Sequence, residues 1–233
     1  MLIEDAIAAL QIHEVPGKAA DMRAYHKVDR AYWGLKNLVL EDQARLWRQE
    51  LPFNERLQLA SELWDSNAHE ARVCATKLLT QARIRPDDHA AWALIKTWLN
   101  DLDCPAISDH LCLAGHRRLT TDQSRIQEVE TWIQSPHLWI RRAALTITLP
   151  WTKHRNPKPD NLAIRELVLS WAASLAEDQN TFIQKAVATW VFELSRRDPE
   201  RATAFLTEHG PKMRNFAHKD AGRLLLQAHT TAA

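Results

Sequence analysis

The chain has 233 residues, of which 25% are charged, and a formal net charge of +1. This length allows one large domain or two small ones with a sizeable core, and the near-zero charge excludes a strongly polybasic protein, so nucleic-acid binding would need a local basic face. Glycine is scarce, with 5 residues, which argues against a sheet protein rich in tight hairpins.

The first residues, "MLIEDAIAAL", are acidic where a secretory signal would be basic, and no apolar run reaches the ~18 residues of a membrane span. Cys74, Cys104 and Cys112 are an odd number without the spacing of a disulfide framework. We therefore expect a soluble cytoplasmic protein with no membrane partner.

Apolar residues at helical spacing, separated by proline or small polar clusters, predict helices along nearly the whole chain and no convincing strand. The predicted helices span residues 2–12, 17–33, 38–50, 53–66, 68–83, 87–101, 105–117, 122–134, 137–150, 161–177, 180–197, 199–209 and 213–228. From about residue 53 they form pairs of about 30 to 45 residues, the period of HEAT-type repeats. We predict an all-α, HEAT-like helical-repeat solenoid, an α-α superhelix, with residues 1–233 as a single domain.

The segment "SPHLWIRRAALTITLPW" (135–151) is apolar on two sides of the predicted helix and carries two adjacent arginines. Arg142 falls beside the leucine side, and Arg141 falls between the two apolar sides. A guanidinium in such a place must reach water, pair with a carboxylate, or bind an anion.

The helix predicted at 180–197 has a stripe for burial at Ile183, Val187, Trp190 and Leu194. The opposite side carries Lys185, Thr189, Phe192 and Arg196. This second side fits either plain solvated surface or one part of a binding groove.

The 10 tryptophans are more simply explained by packing between helices than by contacts to bases or sugars. Cys104, His110, Cys112 and His116 stand close together, but their order is not a familiar zinc pattern, and buried cysteines with surface histidines explain them more simply. Phosphate-binding glycine loops, the G-x-S-x-G elbow and H-E-x-x-H are all absent from the sequence. We expect neither a metal nor another cofactor.

Three segments, "SPHLWIRRAALTITLPWTK", "FIQKAVATWVFELSRRDPERATAFL" and "KMRNFAHKDAGRLL", resemble the C-terminal half of the AlkD-type DNA alkylation repair proteins. The similarity includes W-(L/I)-x-R-A-A, and then F-I-Q-K-A with an acidic residue, here Glu193, eight positions after the lysine. Upstream, "MRAYHKVDRAYWGLKN" is similar to the family's entry segment, with Tyr25 and Gly34 at the matching positions, and "CPAISDHLC" resembles the segment of the catalytic aspartate, here Asp109. The resemblance implies an all-helical protein that excises positively charged alkylated purines.

The resemblance also implies a role for each matching residue. Asp109 would be the carboxylate that stabilises the oxocarbenium-like sugar and directs a water, Arg142 a phosphate or active-site arginine, and Tyr25 a groove residue. The cations expected on the concave face are Lys27, Arg30, Arg141, Arg142, Lys153, Arg155, Lys185, Arg196 and Lys219.

Three positions depart from the family pattern. Pro105 and Thr189 stand where the family has tryptophans, and Phe192 stands where it has an arginine. For Asp109 an alternative remains, that it only caps a helix beginning at "SDHLCLAGHRRL".

The favoured function is that of a monofunctional glycosylase for N3- or N7-alkylated purines in double-stranded DNA. We expect a monomer in a bacterial-type cytosol, associated with the nucleoid when bound to DNA. A first alternative, favoured by Pro105, Thr189 and Phe192, is a non-catalytic relative that binds damaged or branched DNA. A second is a helical-repeat scaffold for protein partners.

Overall fold

The computed structural model describes the backbone of residues 1–231 and the side chains of residues 1–225. The helices are α1 (Ile3–Gln11), α2 (Pro16–His26), α3 (Asn37–Glu50), α4 (Phe53–Asp65), α5 (His69–Leu78), α6 (His89–Thr97), α7 (Pro105–Thr121), α8 (Ile126–Thr131), α9 (Leu138–Ile147), α10 (Pro159–Ser174), α11 (Thr181–Ser195), α12 (Pro199–His209) and α13 (Asn215–Thr231). Short 3-10 turns follow or precede several of them, and in residues 1–231 the only β pairing is an isolated bridge between Ala31 and Ala68. The predicted all-α helical-repeat class is confirmed.

Most predicted helix bounds agree with the structure within a few residues, but the helix predicted at 17–33 is too long. The structure ends α2 at His26, because Lys27 adopts a left-handed φ of 56° and the chain then turns into a loop that leads to α3. The loop itself is held by a side chain of α5.

That side chain is Glu70, which is completely buried and holds the loop after α2. Its carboxylate accepts hydrogen bonds from the backbone N–H groups of Gly34 (2.7 Å), Trp33 (3.1 Å) and Leu35 (3.2 Å). Gly34 has a φ of +75°, and a Cβ there would lie 2.5 Å from the Val15 carbonyl oxygen. Only glycine fits this close approach without strain.

The described chain divides into two compact units, the first from Met1 to Thr121 and the second from Asp122 onward. In the first unit α5 packs against α3, α4 and α7, and α6 packs against α7. In the second unit α11 packs against α9, α12 and α13. Each unit thus has a row of neighbouring helices, α3, α5 and α7 in the first and α9, α11 and α13 in the second. That residues 1–233 form a single domain stays a prediction.

The tryptophans all serve packing inside the units. Their exposed fractions lie between 0% and 8%. They are Trp33, Trp47, Trp64, Trp92, Trp98, Trp132, Trp139, Trp151, Trp171 and Trp190. Burial of such large rings between helices supplies much of the hydrophobic stabilisation, and it removes tryptophan from the set of side chains that can meet a ligand.

Within the described residues, no helix combines the length and the apolar character needed to cross a membrane.

Candidate nucleic-acid interface

Asp109 lies on the surface of α7, near the start of the helix. Because α7 begins at Pro105, Asp109 is the fifth residue of the helix and not its cap, so the alternative that it only caps a helix is wrong. Asp109, Leu113 and Arg117 follow one another at intervals of four residues and are all exposed, which places them on one stripe of α7. The carboxylate is therefore accessible.

Tyr25 lies at the end of α2 in the same unit and is 80% exposed. Its ring meets the ring of His26 edge-on, with centroids 5.0 Å apart. His26 in turn stacks on His69, the first residue of α5, at 4.5 Å, and the ring of Tyr32 lies 5.2 Å from that of His69. Tyr25 is thus the exposed end of a series of ring contacts.

A histidine cluster, made of His26, His69 and His110, connects the surroundings of Tyr25 with those of Asp109. Burial lowers the pKa of His69 to about 3, and the charge of Arg30, together with the charges that His26 and His110 carry when protonated, lowers it further. Burial also lowers the pKa of His110, the neighbour of Asp109, to about 4, and Lys77 acts in the same direction. The cluster is therefore neutral at neutral pH.

These pKa values predict that the protein loses stability in mild acid. Unfolded histidines titrate near pH 6.5, so below that pH the unfolded chain binds more protons than the folded one. The stabilisation is complete above about pH 6.5 and falls by about 1.4 kcal/mol per pH unit for each of His69 and His110 as the pH drops toward 4. Urea unfolding at pH 7, 6 and 5 measures this slope.

A matched variant is His69→Phe, which keeps a stacked ring and removes one titrating group. The imidazole Nδ1 of His69 is buried without a hydrogen-bond partner, so this exchange breaks no bond at that atom. We expect the pH slope to decrease by about half. An unchanged slope would contradict the assignment.

The two adjacent arginines of α9 have different surroundings. Arg141 donates to the carbonyl oxygens of Ser135 (2.8 Å) and Pro136 (3.1 Å) and pairs with Asp178 at 3.6 Å. Arg142 is half-buried, with its guanidinium 5.8 Å from the ring centroid of Trp139. Arg141 is thus engaged in joining the start of α9 to its neighbours, which does not support its inclusion among the expected groove cations.

The α11 helix has the two sides that the sequence predicts. Ile183, Val187, Trp190 and Leu194 are completely buried, whereas Lys185 and Thr189 are exposed and Phe192 is half-buried. The exposed side lines a cleft of about 290 Å³ against α13.

The cleft between α11 and α13 contains a contact that the sequence analysis missed. The guanidinium of Arg223 lies 3.8 Å from the ring centroid of Phe192, a cation–π contact. Lys185 lines the same cleft, together with the carboxylates of Glu193 and Asp220. An arginine near the end of the chain carries no local signal of a partner on another helix, because such a contact depends on tertiary packing.

The remaining expected cations are of two kinds. Lys153 and Arg155, in the segment after α9, are exposed, and so are Lys27 and Lys219. Arg196 is exposed and approaches Glu193 at 3.7 Å. The expectation that Arg30 is one of the exposed cations is wrong. This residue is 8% exposed and forms an ion pair with Asp103, so it stabilises the fold.

The cysteines Cys74, Cys104 and Cys112 are all buried. Among the residues that the structure describes, no group of three or more His, Cys, Asp or Glu side chains is arranged to hold a metal ion. Burial raises the pKa of the Cys74 thiol to about 12, so this thiol is unreactive at neutral pH.

A family model described as DNA alkylation repair enzyme matches residues 6–225 of the chain. Among curated proteins, no sequence matches this chain.

Similar folds occur among solved structures. A predicted DNA alkylation repair enzyme from Enterococcus faecalis is 15% identical, with a TM-score of 0.75 over 90% of this chain and 95% of the other. AlkD2 from Streptococcus mutans is 17% identical, with a TM-score of 0.63 over 81% of this chain and 89% of the other. The protein smu.31 from Streptococcus mutans UA159 is 18% identical, with a TM-score of 0.61 over 78% of this chain and 89% of the other.

Proposed function

Because the chain belongs to the DNA alkylation repair enzyme family and thus to DNA repair, we propose that it binds double-stranded DNA and hydrolyses the N-glycosidic bond of N3- or N7-alkylated purines. The reaction is that of a monofunctional glycosylase, in which water replaces the purine at the anomeric carbon. It needs neither a metal nor another cofactor.

The observation that carries this proposal is the exposed carboxylate of Asp109 on α7, in the same unit as the exposed ring of Tyr25. A purine alkylated at N3 or N7 is cationic and leaves readily, so the protein has to stabilise the positive charge that develops on the sugar and to orient a water. A carboxylate performs both tasks, since it attracts the developing charge and accepts a proton from the water.

The neutral histidine cluster supports the same chemistry. Imidazolium groups beside Asp109 would repel a cationic base and reduce the field of the carboxylate. Burial lowers the pKa of His110, the residue next to Asp109 in the chain, to about 4, so its imidazole is neutral near pH 7.

Cations outside the reacting centre bind the DNA backbone. Arg142, Lys185, Lys153, Arg155 and Arg196 are the proposed phosphate contacts, since guanidinium and ammonium groups hold the backbone in register. We propose that the protein acts as a monomer in the cytosol.

A second candidate function is DNA binding without base release. It is favoured by Pro105, which occupies the first position of α7 with a small aliphatic ring, and by Thr189, an exposed hydroxyl side chain on α11. With every tryptophan buried, aromatic contact to a sugar falls to Tyr25 and Phe192. Such a protein would bind damaged or branched DNA and leave the glycosidic bond intact.

The test uses the wild-type chain and a duplex methylated at purine nitrogens. Free purine released into solution is measured by chromatography, and affinity is measured across a salt titration, because a phosphate-binding surface must weaken steeply as salt rises. Base release with salt-dependent binding supports the glycosylase. Salt-dependent binding without release supports the second candidate, and the absence of salt-dependent binding contradicts both and favours a protein scaffold.

A further inference from the structure

The first unit contains a basic cleft of about 360 Å³ that the proposed mechanism does not use. Three helices supply Glu41 and Arg48 (α3), Lys77 (α5), and Leu113 and Arg117 (α7), and Thr80 and Gln81 after α5 complete the lining. Three cations thus share the cleft with one carboxylate. In a chain whose formal net charge is only +1, this is a local concentration of positive charge.

The single carboxylate, Glu41, is already engaged by two of the cations. It accepts a hydrogen bond from Lys77 Nζ at 2.7 Å, and its other oxygen lies 3.5 Å from Arg48 Nη2. The hydrogen bond from Lys77 is the main cause that lowers the pKa of Glu41, so the carboxyl is ionised at neutral pH. Glu41 neutralises at most one of the two charges.

Arg56, just beyond the cleft, adds to the excess of positive charge. It is 7% exposed and donates a hydrogen bond to the neutral side chain of Gln81. Its pKa is lowered by burial and then by the positive charge of Arg48. Among the described residues, no carboxylate pairs with Arg56, so the field at the cleft stays positive.

Arg48 and Lys77 also have a structural task, because Arg48 Nη1 donates to the backbone oxygen of Lys77 at 2.5 Å and so joins α3 to α5. Arg117 has no such task. Its side chain is exposed, and within the part of the chain that the structure describes it forms no ion pair. It stands on the stripe of α7 that begins with Asp109, about 12 Å further along the helix at 1.5 Å per residue.

We propose that the basic cleft binds a backbone phosphate of the DNA, with Arg117 as the group that reaches it. A guanidinium matches a phosphate by two parallel hydrogen bonds, and Arg48 and Lys77 attract the anion from behind. The bound phosphate would thus lie on the same stripe of α7 as Asp109, further along the helix. This subsite rests on the proposed DNA binding and deepens it.

The test is Arg117→Gln in the full-length chain, with Arg45→Gln as the matched control. Arg45 is an exposed arginine of α3 that pairs with Asp42 at 2.8 Å and does not line the cleft. For Arg117→Gln we expect about a tenfold loss of affinity for an unmodified duplex near 0.1 M salt, and a slope of log affinity against log salt that is smaller by about 1. Arg45→Gln should match the wild type.

A second variant, Arg117→Lys, separates charge from geometry, since it should keep the salt slope and lose part of the affinity. Thermal melting should be unchanged in all three variants, because both arginines are exposed. If the wild type binds DNA and Arg117→Gln binds with the same affinity and slope as Arg45→Gln, the subsite is wrong while the proposed function stands. If the wild type does not bind DNA, both are wrong.

Discussion

Asp109→Asn should lower the rate of base release at least a hundredfold, while the affinity for the duplex stays within about threefold of the wild type. The amide cannot carry the negative charge that stabilises the developing cation, and it is a poor acceptor for the proton of the water. Removing one electrostatic contact of this kind typically costs about 3 kcal/mol of transition-state stabilisation. Single-turnover release of free methylated purine measures the change.

The control is Asp65→Asn, which changes an exposed aspartate at the end of α4. Both variants should keep the wild-type free energy of unfolding to within about 0.5 kcal/mol, since both side chains are on the surface. If Asp109→Asn released base as fast as the wild type, Asp109 would not be the catalytic carboxylate. A loss of binding equal to the loss of rate would assign Asp109 to binding and not to the chemical step.

Glu70→Ala should destabilise the protein by about 3 to 5 kcal/mol. Its carboxylate accepts hydrogen bonds from the backbone N–H groups of Trp33, Gly34 and Leu35. Without it these buried donors lose their acceptor, and each unsatisfied group costs about 1 to 3 kcal/mol. Urea unfolding at pH 7 gives the free energy directly.

The matched variants are Glu70→Gln and Glu50→Ala. The amide oxygen of glutamine can still accept a hydrogen bond, so Glu70→Gln should lower the free energy of unfolding by less than Glu70→Ala. Glu50 is exposed at the end of α3, so Glu50→Ala should lower it by only about 0.5 kcal/mol. Because Tyr32 of the same loop lies against His69, Glu70→Ala should also disturb the surroundings of Tyr25 and weaken DNA binding. A loss below about 1 kcal/mol would show that water replaces the carboxylate.

The helical class and most helix bounds could be predicted, because they depend on spacings of three and four residues within one segment. The two sides of α11 illustrate this: Ile183 and Val187 are buried and Lys185 is exposed, as their positions on the helix predict. The two arginines of α9 could be separated in the same way, since they differ by about 100° around the axis.

The site was predictable only in part. Motif resemblance indicated Asp109 and Tyr25, and the structure places both on the surface of the first unit. The motif resemblance did not indicate the histidine cluster, because His26, His69 and His110 come from three separate helices. Nor did the resemblance reveal that Arg30 is buried with Asp103, since the sequence alone does not distinguish an arginine that pairs inside the fold from an exposed one that can bind a phosphate.

The sequence by itself determined most of the helical segments, the buried side of α11, and the expectation that the tryptophans pack between helices, since hydrophobic periodicity is a local property of the chain. Only the tertiary structure decided where α2 ends, which cation lies on Phe192, and that Arg117 meets the positive charges of α3 and α5. Glu70 holds the loop after α2 from 44 positions beyond His26, and Arg223 reaches Phe192 from the next helix of its row. Such contacts depend on which helix surfaces pack together, and the free energy that selects them is summed over the whole unit.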